Sequence, residues 1–444
     1  MRDAYVVGAG QTDYGSFPDE SYRSLFRTAV EKTVESVDGG MEIDEIDEAY
    51  VGTLGVGGRQ LGLPGPAVTE HVGLHGVPVT RVENACAASG SAVRQAVMAV
   101  RAGMADVVLA GGVEVMTDLS GDAVRYWLGV SGETEWERLS GTTFAGVYAQ
   151  MASAHMREHG TTSEQLSHVA VKNHDNGAKN PKAQLGFTCT LEDAVNAPTV
   201  ADPLTLYHCC PTTDGAAAVL VVSEDVAAAY TDDPVRVAGV GAASDRVGLF
   251  QRDTYSSVPA ARTAGETAYG EAGLGPEDVA AAYTDDPVRV AGVGAASDRV
   301  GLFQRDTYSS VPAARKAGED AYREANMGPE DVDFAEVHDC FAIAELMAYE
   351  DLGFCERGEA GPYVESGATR IDGERPVNTS GGLKSKGHPI GATGAGQVVE
   401  VFDQLTGRAG ERQLDEPRVG LTHNVGGSGG AAVVHLFERT GVEP

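Results

Sequence analysis

Lysine and cysteine are both scarce in this chain of 444 residues. Only seven of its 33 basic residues are lysine, and 65 acidic residues oppose them, which gives a formal net charge of −32 at pH 7. Nucleic acids and anionic membranes are themselves negatively charged and would be repelled by such a surface. The composition therefore excludes nucleic acid and membrane surfaces as expected partners.

The six cysteines are too few for a disulfide framework, and two of them, Cys209 and Cys210, are adjacent. No spacing of Cys and His pairs matches a zinc site, so no metal is expected. Met1-Arg-Asp runs directly into a strand-like stretch without a signal-peptide pattern, and no apolar run reaches transmembrane length. These features are typical of the reducing cytoplasm, which is the compartment we expect.

The acidic excess also bears on the salt content of the cell. Carboxylates that are not screened repel one another, and concentrated salt removes that repulsion. An acidic, lysine-poor surface therefore favours a salt-loving source, and we expect the fold to lose stability as salt is removed. An ordinary acidic cytosolic protein is the alternative.

Hydrophobic periodicity predicts alternating strands and helices in the first part of the chain. The predicted strands are Ala4–Gly10, Ala49–Leu54, Val77–Val82, Asp106–Val115 and Gly215–Ser223, and the predicted helices are Ser21–Ser36, Pro66–His75 and Ser89–Arg101. This order predicts an α/β fold, with a sheet covered by helices on both faces. Between about residues 118 and 202 the pattern loosens, and we expect a loop excursion that contains helices at Phe144–His159 and Thr162–Ala178.

The last part of the chain repeats the order of the first. The predicted elements are a strand at Phe334–His338, a helix at Ala342–Leu352 and a hairpin of Arg418–His423 with Ala431–Phe437. A Gly-rich segment at 379–396 precedes the hairpin. A doubled β–α architecture is therefore expected.

One segment is present twice. Glu224–Arg262 recurs residue for residue as Glu277–Arg315, at an offset of 53, and the next 17 residues recur with five differences. Each copy predicts one strand and one helix. The strands are Val235–Val240 and Val288–Val293, and the helices are Ser256–Ala272 and Ser309–Ala325. Two copies do not make a solenoid, so we predict one position in the sheet and one extra unit.

The helices of the two copies differ in helix propensity. Copy one has Gly270 and Thr263 where copy two has Arg323 and Lys316. Gly inside a helix costs roughly 0.5–1 kcal/mol. Copy two also leads directly into the next strand, so we predict that copy two fills the position in the sheet. The predicted domains are 1–223, including the excursion, 224–278 as the extra unit, and 279–444.

The stretch around Cys86 is the first candidate for chemistry. Cys86 follows the predicted strand Val77–Val82 and precedes the predicted helix Ser89–Arg101, among small residues that allow close approach. A helix N-terminus offers free N–H groups and partial positive charge, which favour a thiolate and an adjoining oxyanion. Cys86 is therefore a candidate nucleophile, and a buried structural cysteine in a tight turn is the alternative.

Three further segments place polar residues at the tips of predicted β elements. They are His338-Asp-Cys-Phe341, Gly387-His388-Pro-Ile-Gly-Ala-Thr-Gly394 and Asn424-Val-Gly-Gly-Ser-Gly-Gly430. Each segment is a weak signal alone, because Gly-rich turns and loop histidines are common. The specific signal is that the three segments follow Cys86 along the chain in this order.

In that order the chain resembles the thiolase family over essentially its whole length, apart from the duplicated unit. Thiolases carry a nucleophile Cys, an Asn-Glu-Ala-Phe or His-Asp-Cys-Phe loop, a Gly-His-Pro loop and a Cys-x-Gly loop. Asn424-Val-Gly426 departs from the fourth loop. That departure accompanies His-Asp-Cys-Phe in thiolases of the sterol-carrier-protein type and their archaeal relatives. The resemblance implies a thiolase fold, with two similar β–α halves in an αβαβα arrangement.

The resemblance implies an acyl-CoA:acetyl-CoA C-acyltransferase that makes or cleaves acetoacetyl-CoA or a longer 3-ketoacyl-CoA. Cys86 would carry the acyl group, and His388 would take its proton and help bind the thioester oxygen. Such chemistry needs a nucleophile, a second base and donors for two oxyanions. Coenzyme A thioesters are the implied substrates, and no permanently bound cofactor is implied.

The same resemblance implies roles for the second and fourth loops. His338 would hold a water or donate to the enolate oxygen, and Cys340 would be the α-proton base in synthesis and the acid in cleavage. The N–H groups of Cys86 and Gly426 would form the other oxyanion hole. Asn424 cannot exchange protons at neutral pH, so the second base rests on Cys340. A core cysteine is the alternative for Cys340.

Lys384 and Lys386 stand beside the His388 loop, where they are expected either to meet coenzyme A phosphates or to be solvated. The resemblance also implies a homodimer or homotetramer. It further implies, as partners, a small zinc-ribbon OB-fold protein and a hydroxymethylglutaryl-CoA synthase. A ketoacyl synthase and a catalytically silent acyl-CoA- or lipid-binding protein are the alternative functions.

Overall fold

The strands and helices follow the predicted alternation. The computed structural model describes residues 2–58, 61–245, 293–298, 317, 321 and 328–440. The strands are β1 (Ala4–Gln11), β2 (Glu48–Gly52), β3 (Val79–Val82), β4 (Val107–Glu114), β5 (Thr199–Ala201), β6 (Leu204–Thr205), β7 (Gly215–Ser223), β8 (Val235–Asp245), β9 (Val293–Asp298), β10 (Phe334–Glu336), β11 (Val419–Gly426) and β12 (Ala431–Arg439). The α-helices are α1 (Tyr22–Glu35), α2 (Pro64–Thr69), α3 (Ala88–Arg101), α4 (Gly121–Gly129), α5 (Phe144–His159), α6 (Ser163–Gly177), α7 (Leu191–Asn196), α8 (Ala342–Asp351), α9 (Ala360–Glu365), α10 (Gly382–Ser385) and α11 (Thr393–Leu405).

Two half-sheets with the same topology build the molecule. In the described residues the strand order is β10-β11-β12-β8-β1-β7-β4-β2-β3, with β9 beside β8. In the first half β2 and β4 are parallel, whereas β4–β7 and β7–β1 are antiparallel. In the second half β10 and β11 are parallel, whereas β11–β12 and β12–β8 are antiparallel. The halves join where β1 pairs with β8. The predicted doubled architecture is confirmed.

Helices α3 and α11 form the layer between the half-sheets. Val93 and Val97 of α3 and Val398 and Phe402 of α11 belong to one buried cluster that includes strand residues of both halves. Helix α1 covers the other face of the first half-sheet, and α5, α6 and α8 cover the other face of the second. The result is the predicted αβαβα order. The N-termini of α3 and α11 follow the Cys86 and His388 turns, so the central layer determines where both turns lie.

The segment between β4 and β7 is more regular than a loop excursion. It contains α4 to α7 and the short ribbon of β5 and β6, and α5 has the predicted bounds. Tyr148, Met151, Leu166 and Val169 of α5 and α6 are buried against the second half. The excursion is therefore a helical layer of the core. No helix in the described ranges is both long and apolar enough to cross a membrane.

The prediction that copy two supplies the strand is wrong. Strand β8, from copy one, lies between β12 and β1, and β9, from copy two, pairs with the later part of β8. The two strand sequences are identical, so no propensity favours either. The helix expected at Ser256–Ala272 lies outside the described residues. Of the helix at Ser309–Ala325, Ala317 and Ala321 are described as helical and buried in the second-half core.

Candidate active site

Cys86 lies in the turn between β3 and α3, two residues before the helix begins. The preceding residue, Ala85, has φ +50°, a left-handed conformation that non-glycine residues rarely adopt. The Ala88 N–H donates to the Ala85 carbonyl oxygen at 3.1 Å and the Ala87 N–H to that of Asn84 at 3.0 Å. The turn is thus tightly hydrogen-bonded, and it leaves Cys86 only 7% exposed.

Burial outweighs the helix N-terminus in setting the acidity of Cys86. Burial raises the pKa of the Cys86 thiol to about 12, while hydrogen bonds from the N–H groups of Gly427 and of Cys86 itself act to lower it. The expectation that the helix start favours a thiolate is therefore not met in the resting site. Cys86 is a thiol at neutral pH, so its use as a nucleophile requires a base within reach.

His388 has the protonation state that such a base needs. Its Nδ1 lies 2.7 Å from Oγ1 of Thr393, and the Thr393 hydroxyl donates to the Pro389 carbonyl oxygen at 3.1 Å. Because that hydroxyl proton is already used, Nδ1–H donates to Thr393 and Nε2 keeps its lone pair. Burial lowers the pKa of His388 to about 3, so the ring is neutral at pH 7.

His338 has the complementary arrangement. The Asn424 Nδ2 group, which can only donate, lies 3.2 Å from Nδ1 of His338. The neutral ring therefore carries its proton on Nε2, which has no hydrogen-bond partner among the described residues although the side chain is 1% exposed. Burial lowers the pKa of His338 well below its ordinary value, with His388 and His423 acting in the same direction. His338 therefore offers an unused N–H donor.

The two histidines converge on Cys86. Their rings lie 5.1 Å apart, and Sγ of Cys86 and one nitrogen of each ring all lie within 4.8 Å of one another. The arrangement combines a nucleophile, a lone pair to accept its proton and a donor for a developing oxyanion. One thiol and two imidazoles are also ligands that a soft divalent cation accepts, so these three residues are the candidate metal ligands of the described chain.

Cys340 lies beside this group. It is 5% exposed, and burial, followed by the nearby Cys86, raises its thiol pKa. A hydrogen bond with Tyr148 and the charge of Lys384 act to lower the same pKa. The Cys210 N–H donates to the Cys340 carbonyl oxygen at 3.0 Å, and Cys210 adds to the effect of burial in raising the pKa of Cys86. Cys210 belongs to none of the four motif loops, so no sequence pattern pointed to its place beside the site.

The fourth loop approaches Cys86 through glycines. A Cβ on Gly426 would lie 2.4 Å from the Asn84 carbonyl oxygen, and one on Gly427 would lie 2.5 Å from that of Ser131. The backbone N–H that contacts the Cys86 thiol is that of Gly427, one residue beyond the expected Gly426. Only glycine fits the close approach at these positions, and at Gly427 the positive φ of 62° also requires it.

Glu114 connects residues 54–56 to the His388 turn, and no motif pointed to it. Its fully buried carboxylate accepts from the N–H groups of Leu54, Gly55 and Val56 at 2.9 to 3.1 Å, and from that of Gly391 in the His388 turn at 3.1 Å. Burial raises the pKa of Glu114 to about 7, against the effect of these four donors. A negative residue at the end of the predicted strand Asp106–Val115 was the only sequence signal.

Asp339 holds the second loop to the segment before His388. Its buried carboxylate accepts from Leu383 N–H at 2.6 Å, from Lys384 N–H at 3.2 Å and from Asn173 Nδ2 at 2.7 Å. Asn173 also donates to Glu345 at 2.6 Å. Burial and the neighbouring Glu345 raise the pKa of Asp339 to about 7. Helix α6 of the excursion therefore supports both His338 and His388.

The structure contradicts both expectations for Lys384 and Lys386, which are 1% and 2% exposed. Lys384 Nζ donates to the His208 carbonyl oxygen at 2.6 Å. Lys386 Nζ donates to the Gly396 carbonyl oxygen at 3.1 Å and lies 3.9 Å from Glu336. The backbone folds back through Asp339, which turns these side chains into the core, so they neither meet coenzyme A phosphates nor are solvated here.

Two family models match most of the chain. The model of the thiolase N-terminal domain matches residues 4–225, and the model described as thiolase C-terminal domain-like matches residues 294–439.

Curated relatives match over nearly the whole chain. An acetyl-CoA acetyltransferase of Methanothermobacter thermautotrophicus is 40% identical over 99% of this chain and 100% of its own length. The benzoylsuccinyl-CoA thiolase subunit BbsB of Thauera aromatica is 31% identical over 96% of this chain and 95% of its own. Sterol carrier protein 2 of Homo sapiens is 30% identical over 99% of this chain and 72% of its own.

Solved structures share the fold. The Ltp2-ChsH2(DUF35) aldolase superposes with a TM-score of 0.74 at 23% identity, over 98% of this chain and 97% of its own. Human mitochondrial 3-ketoacyl-CoA thiolase in complex with CoA superposes with a TM-score of 0.68 at 16% identity, over 99% and 98%.

Proposed function

Because this chain belongs to the thiolase family, we propose that it is an acyl-CoA:acetyl-CoA C-acyltransferase that makes or cleaves acetoacetyl-CoA or a longer 3-ketoacyl-CoA. The name of the archaeal acetyl-CoA acetyltransferases that are 39–40% identical supports this activity. Coenzyme A thioesters are the substrates of the family, and one matching structure is a complex with CoA.

In the first half-reaction Cys86 attacks the thioester carbonyl of acetyl-CoA. His388 Nε2 takes the thiol proton, the tetrahedral intermediate collapses, and coenzyme A leaves with that proton. The product is an acetyl thioester on Cys86. The N–H groups of Cys86 and Gly426 would hold the oxyanion, and the Gly427 N–H, which contacts the thiol, lies in the same turn.

The second half-reaction begins when the Cys340 thiol releases its proton to solvent, against the raised pKa that burial gives it, and the resulting thiolate removes a proton from the methyl group of a second acetyl-CoA. The Nε2–H of His338 donates to the enolate oxygen, and the carbanion attacks the acetyl group on Cys86. Collapse releases acetoacetyl-CoA and the Cys86 thiolate, which takes the proton that Cys340 removed from the methyl group, so that Cys340 is again a thiolate. Thiolysis is the same sequence in reverse, with Cys340 as the acid.

One observation supports this assignment most strongly. Cys86 lies more than 250 residues before the two histidines in the sequence, yet its Sγ and one ring nitrogen of each histidine lie within 4.8 Å of one another. Thr393 leaves the Nε2 lone pair of His388 available, and the Nε2–H of His338 has no partner in the described part of the chain. A buried structural cysteine needs neither group.

Thiolysis of acetoacetyl-CoA by free coenzyme A, measured at molar KCl, tests the proposal. The parent protein should turn over, and acetyl-CoA should label it covalently. Cys86→Ser should abolish both signals. Cys340→Ala should keep the label and lose about 10²- to 10⁴-fold in turnover, as for a general base. Cys355→Ser, at a half-buried cysteine outside the site, is the matched control.

A label that survives Cys86→Ser contradicts the nucleophile. Turnover of Cys340→Ala within a few-fold of the parent contradicts the base. Coenzyme A binding without turnover would indicate the silent acyl-CoA- or lipid-binding protein. Condensation that requires an acyl carrier protein would indicate the ketoacyl synthase.

We also propose a homo-oligomer, a dimer or tetramer, with a small zinc-ribbon OB-fold protein and a hydroxymethylglutaryl-CoA synthase as partners. The name of the matching Ltp2-ChsH2(DUF35) aldolase joins two components, which supports a partner of this general kind. Sedimentation of the purified chain, alone and with such a partner, tests both parts.

The remaining proposals concern organisation and setting. The division into 1–223, 224–278 and 279–444 stays a proposal, and the unmatched residues 226–293 between the two family matches support one surplus copy of the repeat. Strand β8, which lies within 224–278, nevertheless pairs with β1 and β12, so the surplus is one of two equivalent copies rather than copy one in particular. The charge of −32 supports a salt-rich setting, and the sparse cysteines support a cytoplasmic one. Truncation and salt titration test these proposals.

A further inference from the structure

We propose that Cys86, His338 and His388 form an inhibitory site for a soft divalent cation, Zn²⁺, which competes with the acyl group for the Cys86 sulfur. The spacing of Cys and His pairs along the chain predicted no metal, but spacing tests only ligands that are close in the sequence. These three residues come from three loops that the fold brings together. The binding of the ion goes beyond the proposed function, and only the inhibition rests on it.

The three ligand atoms lie close enough to share one ion. Sγ of Cys86 and one nitrogen of each ring are all within 4.8 Å of one another, and all three side chains are buried. Zinc–sulfur bonds of about 2.3 Å and zinc–nitrogen bonds of about 2.0–2.1 Å place the ligands of a tetrahedral site roughly 3.3–3.6 Å apart. Rotation of the three side chains therefore has to bring each pair closer by at most about 1.5 Å.

His388 is already oriented to bind the ion. Its Nδ1–H donates to Oγ1 of Thr393 at 2.7 Å, which leaves the lone pair on Nε2. A histidine that binds a metal usually donates its other ring N–H in this way, because that hydrogen bond fixes the tautomer and the orientation of the ring. The Thr393 hydroxyl is itself held by the Pro389 carbonyl oxygen at 3.1 Å. The ring is therefore in place before an ion arrives.

His338 binds the ion once its proton moves to the other ring nitrogen. In the resting site Nδ1 accepts from Asn424 Nδ2 at 3.2 Å, and Nε2–H has no partner among the described residues. Oδ1 of the same Asn424 amide is also buried without a partner in the described part of the chain. A half-turn of this amide places Oδ1 opposite Nδ1, which then carries the proton, and the Nε2 lone pair becomes available. Asn424 therefore decides whether His338 donates to an oxyanion or binds an ion.

Binding exchanges one proton for the ion and transfers no electron. The Cys86 thiol releases its proton to solvent, and the sulfur bonds to the ion with the two imidazoles, while water takes the fourth position. An acetyl group on Cys86 removes the thiolate, so the acetylated protein does not hold the ion, and the bound ion blocks acetylation. The many surface carboxylates favour hard cations such as Mg²⁺, whereas a thiolate with two imidazoles favours Zn²⁺ or Co²⁺.

Co²⁺ reports on this site directly, because a thiolate–Co²⁺ bond gives a charge-transfer band that carboxylate-bound Co²⁺ lacks. The protein is titrated with Co²⁺ without oxygen, in molar KCl with excess Mg²⁺ to occupy surface carboxylates. We expect the band to saturate at one equivalent and Zn²⁺ to displace Co²⁺, since thiolate ligands select zinc. Cys86→Ser should abolish the band. Cys355→Ser, at a half-buried cysteine outside the site, is the matched control and should keep it.

Variants of Asn424 test the tautomer argument. Asn424→Asp supplies a carboxylate that can only accept from Nδ1–H, so the affinity for Co²⁺ should rise about tenfold. Asn424→Leu removes the partner of Nδ1 and should lower the affinity about tenfold, as for other groups that orient metal ligands. Zn²⁺ should inhibit thiolysis of the parent over the concentration range in which it displaces Co²⁺, and EDTA should restore the activity.

The outcomes separate the metal site from the proposed function. No thiolate band in the parent, or a band that Cys86→Ser leaves at full intensity, overturns the site. If Cys86→Ser melts before assay, parent protein alkylated at Cys86 by iodoacetamide replaces it, and an unchanged band overturns the site. Equal affinities in the Asn424 variants overturn the role of Asn424, and active enzyme that saturating Zn²⁺ does not inhibit overturns the competition. Absence of thiolysis in the parent overturns the proposed function, and the Co²⁺ spectra still decide the site.

Discussion

At the scale of single residues, burial keeps the thiol of Cys86 and the imidazole of His388 neutral. The pKa of Cys86 is raised to about 12 and that of His388 is lowered to about 3, in both cases chiefly by burial. The proton therefore stays on sulfur in the resting site, and an ion pair between the two is unfavourable there. Bound substrate has to offset the free-energy cost of moving the proton from Cys86 to His388. It does so because the attack turns the charge on sulfur into an oxyanion, which backbone N–H groups already in place stabilise.

The burial of Lys384 leads to a prediction at this scale. Lys384→Met removes a bond to the His208 carbonyl oxygen and a cation near Asp339, so we expect a loss of about 1–3 kcal/mol in the free energy of unfolding. The KM for coenzyme A should change by less than about twofold, because Lys384 does not reach the surface. Urea unfolding and thiolysis kinetics measure the two quantities.

Lys32→Met is the control, at a side chain on α1 that is 40% exposed and pairs with Asp13 at 4.0 Å. It should leave both quantities nearly unchanged. A KM for coenzyme A that rises tenfold in Lys384→Met, with unfolding unaffected, would restore the phosphate-binding role.

At the scale of elements, the duplicated strand pairs with its own copy. In β8 and β9, Val240 lies opposite Val293 and Asp245 opposite Asp298, the same residues at the offset of 53. The fold thus takes its sheet strand from copy one and packs Ala317 and Ala321 of copy two into the core. Because the two strands are identical, either of them satisfies the position between β1 and β12.

Removal of one copy is the corresponding test. Deleting any 53 residues that begin between 224 and 263 gives the same protein of 444 − 53 = 391 residues, with one strand followed by the helix that carries Lys316 and Arg323. All four motif loops remain, so we expect activity and melting temperature equal to or above those of the full chain. A 391-residue protein that is inactive beside an active full chain would make the extra copy integral.

At the scale of the whole molecule, the net charge of −32 makes the stability of the fold depend on the salt concentration. Carboxylates on one surface repel over a Debye length, which falls from about 10 Å at 0.1 M to about 3 Å at 1 M. We therefore expect the melting temperature to rise between low and molar KCl, and the rise to level off once screening is complete. Calorimetry over a KCl series measures it, and equal melting temperatures throughout would contradict the charge argument.

The order of strands and helices could be predicted because it depends on local patterns in the sequence. The periods of about two and of 3.6 residues fix strands and helices over short windows, so β7 and α5 have the predicted bounds. The doubled topology follows from that order, and the four motif loops follow from short runs such as His338-Asp-Cys-Phe341. Composition alone determined the charge. These properties do not depend on which distant segments pack together.

Burial and long-range contact are decided by the tertiary structure alone. The sequence placed Lys384 beside His388, but the hydrogen bonds from the segment before His388 to the Asp339 carboxylate turn the lysine side chain inward. The helix start favoured a thiolate at Cys86, but burial has the larger effect on the pKa of that thiol. Glu114, Cys210 and Tyr148 became part of the site only because α5, β4 and the segment before β7 pack against the motif loops. The pKa of a group and the tautomer of a histidine depend on atoms within a few ångströms, and those atoms come from distant parts of the chain.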